Sequence, residues 1–131
     1  MEVVLKIYIT SVYVTDQEKA FKFYTEILGF IKKTDVPVGK FKLLTVVSPE
    51  GPAGIELLLE PNENSAANIY QKSLFEQGVP VASFEVDDIE KEYNHLKTQG
   101  VRFTMNPTQM DSVQTAIFDD TCGNLIQIVE L

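Results

Sequence analysis

The sequence predicts one mixed α/β (α+β) domain made of two βαβββ modules related by internal pseudo-symmetry, with curled sheets around a shared cavity. Three observations carry this. A β-branched segment runs twice into an acidic helix start, at Val14-Thr15-Asp16-Gln17-Glu18 and at Val86-Asp87-Asp88-Ile89-Glu90. Val14/Val86 and Glu18-Lys19/Glu90-Lys91 share an offset of 72 residues. Gly29 and Gly100, which stop the two helices, are 71 apart, one residue having been lost from the second helix. Matches kept in order at nearly one spacing are the signature of a repeated supersecondary unit. Module one covers about 1–61, a linker helix about 62–78 and module two about 79–131.

Each element follows from local pattern. Residues 7–14 are rich in β-branched and aromatic side chains, as in a strand. Thr15-Asp16-Gln17-Glu18 has the form of a capping box, with Thr15 as the cap and Glu18 reaching back. Ala20, Phe23, Tyr24, Ile27 and Leu28 make the apolar stripe of an amphipathic helix, and Gly29 ends it. Strands are expected at 30–36, ended by Pro37 and Gly39, at 41–48, closed by the turn Pro49-Glu50-Gly51-Pro52, and at 55–59. In the linker, Ala66, Tyr70 and Leu74 mark a short helix ahead of Gly78. The second module repeats the order: a strand at 79–86, Asp87 in the place of Thr15, then a helix presenting Ile89, Tyr93 and Leu96 up to Gly100. Strands follow at 101–105, 113–118 and 125–130. Residues 104–112, with Met105, Pro107, Gln109 and Met110, have no clear period and read as a loop over the cavity mouth or an ordinary connection.

The totals exclude several classes. A chain of 131 residues that is 44% hydrophobic and 23% charged is a folded globular domain. No apolar run approaches the roughly 20 residues of a membrane helix, and the start Met1-Glu2-Val3-Val4 lacks the features of a signal peptide. A single cysteine, Cys122, cannot form an internal disulfide, so the cytoplasm is the expected location. A net charge of −8 with scattered basic residues argues against nucleic acid and fits solubility or attraction of a cationic ligand.

A module with one helix covers one face of its sheet, and the other face must find a partner or become a pocket. Side chains alternate along a strand. If Val12 and Val14 face the helix, then Ile7, Ile9, Ser11 and Tyr13 face the hollow, and the second module contributes Val79, Val81, Ser83 and Glu85.

Val14-Thr15-Asp16, Phe23-Tyr24, Leu28-Gly29-Phe30 and Asp120-Thr121-Cys122-Gly123-Asn124 together resemble the vicinal oxygen chelate superfamily. That group includes glyoxalase I, extradiol dioxygenases, and fosfomycin- and bleomycin-resistance proteins. The resemblance implies a metal site with ligands from the first and last strand of each module. Those positions fall on Ile9, Glu56, Val81 and Gln127. Ile9 and Val81 cannot coordinate, and one carboxylate with one amide falls short of the three protein ligands a catalytic metal generally takes. The expectation is therefore no cofactor, with a divalent metal held by Glu56 and Gln127 if by anything. His95, at the repeat equivalent of Phe23, reads as an outer-face residue, and Cys122 as an incidental cysteine in an exposed turn.

Glu56 among Ile9, Val81 and Leu125 would carry a desolvation cost as an anion. Gln127 could offer it an amide N–H, so the pair could anchor a polar or cationic group, or Glu56 could accept a proton. Equally, Glu56 could be a solvated rim residue. Ser11, Tyr13, Ser83 and Glu85 are further lining candidates, with no nucleophile–base pair among them. The leading expectation is metal-independent binding of a small, partly apolar or cationic molecule. The resemblance to bleomycin-resistance proteins implies a homodimer with clefts between subunits. The alternatives are a metal-dependent lyase or dioxygenase with atypical ligands, such as Glu85 or residues of a partner subunit, and a non-catalytic interaction module.

Overall fold

The structure is a computed structural model that describes residues 4–51 and 54–131. Its elements run β1 (Ile9–Val14), α1 (Gln17–Lys22) continuing into a π turn (Phe23–Ile27), β2 (Ile31–Val38), β3 (Phe41–Val47), β4 (Glu56–Pro61), α2 (Ser65–Glu76), β5 (Ala82–Glu85), α3 (Ile89–Thr98), β6 (Phe103–Met110), β7 (Val113–Asp119) and β8 (Leu125–Glu130). They form two four-stranded sheets, β1-β4-β3-β2 and β5-β8-β7-β6. In each, the first strand pairs parallel with the last and the other pairs are antiparallel. The two βαβββ modules thus repeat not only in sequence but in strand order.

The core lies between each sheet and its helix. Val12, Val14, Leu44, Val46 and Leu59 are buried with Ala20, Phe23 and Tyr24 in the first module. Ala116, Phe118, Ile126 and Ile128 are buried with Ile89 and Leu96 in the second. Gln17 fastens the start of α1 to the sheet, its amide donating to the carbonyls of Lys42 and Leu59 and accepting from the Lys42 amide. The modules share one continuous cluster. Phe23 packs on Phe118 and Phe30 packs edge-on to Phe84, the Thr15 amide donates to the Cys122 carbonyl, and the Tyr24 hydroxyl donates to Asp120.

Several local expectations are corrected. The helix caps are Asp16 and Asp88, whose carboxylates accept from the Lys19 and Lys91 amides. Each lies one residue beyond the expected Thr15 and Asp87, and Glu18, instead of closing a capping box, meets Lys42 at 2.9 Å. The first helix does not stay α-helical: the Leu28 amide reaches back to the Phe23 carbonyl, spanning five residues. Pro37 does not end β2 but lies within it. This is tolerated because β2 is an edge strand, where a missing N–H leaves no ladder bond unmade.

Residues 103–110 are strand β6, not a loop. Its register shifts twice, between Phe103/Met105 and Met105/Thr108. It is the edge strand of its sheet, where Pro107 and exposed polar residues are tolerated although they read as a connection. In α2 the buried side chains are Ala67 and Gln71, whereas Ala66 and Tyr70, on the expected stripe, are exposed. The inner face is set by hydrogen bonding: the Gln71 amide donates to the carbonyls of Tyr13 and Cys122 and to Asn124, and accepts from Asn62. The expected turn at 49–52 ends in Pro52, outside the described residues. The strand at 79–86 is shorter than expected, β5 beginning at Ala82, and Ile7 and Val79 are exposed ahead of their strands.

Candidate functional site

The open face of each sheet, turned away from its helix, is fixed by the burial of the other face. In β1, Val12 and Val14 are buried against the core, which leaves Ile9, Ser11 and Tyr13 on the open face. The β1–β4 register sets Ile9 opposite Glu56, Ser11 opposite Leu58 and Tyr13 opposite Glu60. On β3, Thr45 pairs with Leu58 and so lies on the same face as Glu56. Farther along, Ile31, Val36, Val38 and Leu43 leave large apolar side chains exposed on β2 and β3.

Glu56 is only 6% exposed, so it is not a solvated rim residue. Its Oε1 accepts from the Thr45 hydroxyl at 2.7 Å, and that hydroxyl in turn accepts from the Thr34 amide. Thr45 was not among the residues singled out from sequence. The hairpin register of β3 and β4 was the signal that could have found it, since it puts the threonine diagonally across from the carboxylate.

In the second module, Ser83 stands opposite Gln127 and Glu85 opposite Val129. Gln127 Nε2 is 3.4 Å from Ser83 Oγ, a long and weak contact. The amide-to-carboxylate bond expected between Gln127 and Glu56 is therefore not made. Each takes a partner within its own sheet. Ser83 and Glu85 are exposed, and Val81 is half-buried, its amide bonded to the Leu125 carbonyl.

Where the modules meet, Ser11, Tyr13, Tyr70, Gln71, Val81 and Asn124 help line a small cavity of about 80 Å³. It brings together three of the expected lining residues, Ser11, Tyr13 and Val81, beside the clamp formed by Gln71 and Asn124 on the Tyr13 carbonyl. A larger groove of about 430 Å³ lies among Lys19, Lys22, Glu26 and Ile27 and the end of α3, on the helical side of the sheets. None of the expected site residues reaches it.

Cys122 is fully buried, which corrects the expected exposed turn. The turn folds inward because Asp120 gathers the Cys122 and Asn124 amides on Oδ1 and the Tyr24 hydroxyl and Asn124 side chain on Oδ2. Burial, reinforced by the nearby Asp120 charge, pushes the thiol up to about 11, and Cys122 is no ready nucleophile. His95 is exposed on α3, its ring Nε2 2.8 Å from the Gln99 amide. Lys40 and Lys42 are matched by Glu63, Glu18 and Asp35. Among the described residues, no helix is long and apolar enough to cross a membrane.

The donor set does not fit a catalytic metal. Ile9 and Val81 offer no ligand atom, Glu56 and Gln127 bond within separate sheets, and no three His, Cys, Asp or Glu side chains group together among the described residues.

Comparison with known proteins agrees with this architecture. The model of the Glyoxalase/Bleomycin resistance protein/Dioxygenase superfamily matches residues 6–128. The uncharacterized protein YurT of Bacillus subtilis (strain 168) is 60% identical over 126 residues, 96% of this chain and 99% of that protein. A solved member of the superfamily from Sphaerobacter thermophilus DSM 20745 superposes with a TM-score of 0.75 at 29% identity, covering 98% of each chain. TnmS3, an antibiotic binding protein from Streptomyces sp. CB03234, superposes with a TM-score of 0.75 at 24% identity, over 99% of this chain and 98% of that one. With the family matched along nearly its whole length and the duplicated βαβββ architecture in place, the chain belongs to the Glyoxalase/Bleomycin resistance protein/Dioxygenase superfamily.

Proposed function

We propose that this protein binds a small, partly apolar or cationic molecule on the open faces of its two sheets, without a metal and with Glu56 as the polar anchor. The observation that carries the reading is the state of Glu56: a nearly buried carboxylate on an apolar face, hydrogen-bonded among the described residues by a single hydroxyl at one oxygen. A carboxylate has about four acceptor positions, so Glu56 retains capacity for a ligand N–H or an ammonium group. Ile9 and Leu58 beside it supply apolar contact. Apolar walls with a few convergent polar groups are the usual make-up of a small-molecule site. The same fold in TnmS3, an antibiotic binding protein, supports the reading.

The working unit of this proposal is a homodimer. The exposed Ile31, Val36, Val38 and Leu43 then become cavity wall shared with a second copy. Light scattering should give twice the 14.7 kDa chain mass. A monomer at micromolar concentration would remove the second wall.

The test of function joins two measurements. Elemental mass spectrometry on untagged protein purified without chelator should find less than about 0.1 equivalent of zinc, iron, nickel or manganese, short of what a resident site retains. Thermal shift against a panel of aromatic amines and their uncharged analogues should then pick out amines. Glu56→Gln should weaken the amines that bind by about tenfold or more, the scale of a charge-assisted hydrogen bond. Near-stoichiometric metal, or amine affinities indifferent to Glu56→Gln, would sink the proposal.

A further inference from the structure

Thr45 and Thr115 occupy the same place in the two modules. Thr45 pairs with Leu58, two residues after Glu56, and Thr115 pairs with Val129, two residues after Gln127. Glutamate and glutamine side chains have the same length. The diagonal that lets Glu56 accept from the Thr45 hydroxyl is therefore also open between Gln127 and Thr115. Yet Thr115, only 6% exposed, has no hydrogen-bond partner for its hydroxyl among the described residues. Gln127 is turned instead to Ser83 at 3.4 Å.

A buried hydroxyl left unmade costs free energy, and a 3.4 Å contact offsets little of it. The two defects are complementary. If Gln127 turns back to Thr115, its amide oxygen takes the orphaned proton and its Nε2 is left aimed from the open face with two N–H groups unused. Glu56, which can only accept, and Gln127, which would then donate, stand at equivalent positions of a duplicated fold with opposite hydrogen-bonding sense.

We propose that Thr115 is a positioning residue, which holds Gln127 in a donor pose when a ligand acceptor reaches the second module. This rests on the binding function proposed above and narrows its ligand. The molecule carries a hydrogen-bond donor for Glu56 and, separately on an apolar frame, a neutral acceptor of the carbonyl type for Gln127. Thr115 itself does not touch the ligand, consistent with an oxygen sealed from solvent.

The test uses two simple probes on the full-length protein, followed by the side-chain amide signal of Gln127 in ¹⁵N spectra. 4-Ethylacetophenone presents only an acceptor, and 4-ethylaniline chiefly a donor. Thr115→Val should weaken 4-ethylacetophenone by about 5- to 10-fold, the worth of one neutral hydrogen bond, and leave 4-ethylaniline within about twofold. Thr115→Ser should restore the first probe, and Glu56→Gln should weaken only the second. If Thr115→Val changes neither probe, or both equally, while 4-ethylaniline still depends on Glu56, the positioning role is wrong and the binding site stands. If neither probe shifts signals on the open faces, the binding function itself fails and this inference with it.

Discussion

The Tyr24 hydroxyl donates to Asp120 Oδ2 across 2.6 Å, joining residues 96 positions apart in the chain and on different modules. Burial is the largest influence on Asp120 and raises its carboxyl above the ordinary range, while the bonds from Tyr24, Asn124 and two backbone amides pull the other way. Tyr24→Phe removes one of those bonds and leaves the oxygen in the core. Chemical denaturation should show a loss of about 1.5–3 kcal/mol, the range for hydrogen bonds to charged groups. A change under 0.5 kcal/mol would mean that water or Asn124 replaces it.

Two proton-bearing groups at this junction make the fold sensitive to alkali. Burial, followed by the Asp120 charge, lifts Tyr24 well above 10.0, and the same two causes lift Cys122 from 9.0 to about 11. Both are raised in the folded state, so their stabilisation is fully present below the unfolded values and is lost as pH climbs. For Cys122 the window is pH 9 to 11, worth about 2–3 kcal/mol at 1.4 kcal/mol per unit. Melting temperature should fall steadily from pH 9 to pH 11, and Cys122→Ala should flatten part of that fall. A thiol reagent at pH 8 should leave Cys122 unmodified until denaturant is added.

The two equivalent threonines should respond oppositely to the same substitution. Thr115→Val discards a buried hydroxyl that bonds to nothing among the described residues, and should raise stability by about 0.5–1.5 kcal/mol. Thr45→Val strips Glu56 of its partner and the Thr34 amide of its acceptor, and should cost about 1–3 kcal/mol. Urea midpoints for the two variants give the comparison directly, and equal signs would refute it.

Gly123 has φ of +97°, and a Cβ there would stand 2.7 Å from Gln71 Nε2. The Gln71 amide is the clamp on Tyr13, Cys122 and Asn124, so it has no room to give without breaking those bonds. Gly123→Ala should therefore cost about 2 kcal/mol or more, from backbone strain and the displaced clamp together. A thermal melt within 2 °C of the parent protein would show that Gln71 can move freely.

The architecture was legible because duplication leaves two independent readings of each element. Val14, Glu18 and Gly29 needed only to be matched with Val86, Glu90 and Gly100. What escaped was whatever broke a period or joined distant segments. β6 carries Pro107 and exposed polar residues at a sheet edge, which read as a loop. Gln71 was not singled out, because its three acceptors come from β1 and the 120–124 turn, out of reach of any local pattern. Glu56 was identifiable from its place in the repeat, but its partner depended on the register of a neighbouring strand, and Thr45 went unremarked.

The π turn at Phe23–Ile27 bears on the unequal lengths of the two helices. Asp16 to Gly29 is one residue longer than Asp88 to Gly100, yet both stretches start at an aspartate cap and end at a left-handed glycine. A turn closed over five residues instead of four is how a helix stores one surplus residue without moving its ends. The surplus residue of the first helix is thus housed in the π turn, whereas the second is an ordinary α-helix throughout. Removing exposed Glu26 should return the first helix to the form of its sibling. If so, the shortened protein should still fold, with the core-facing Phe23, Tyr24 and Ile27 where they were; a chain unable to fold would show that the packing of the first helix depends on its π turn.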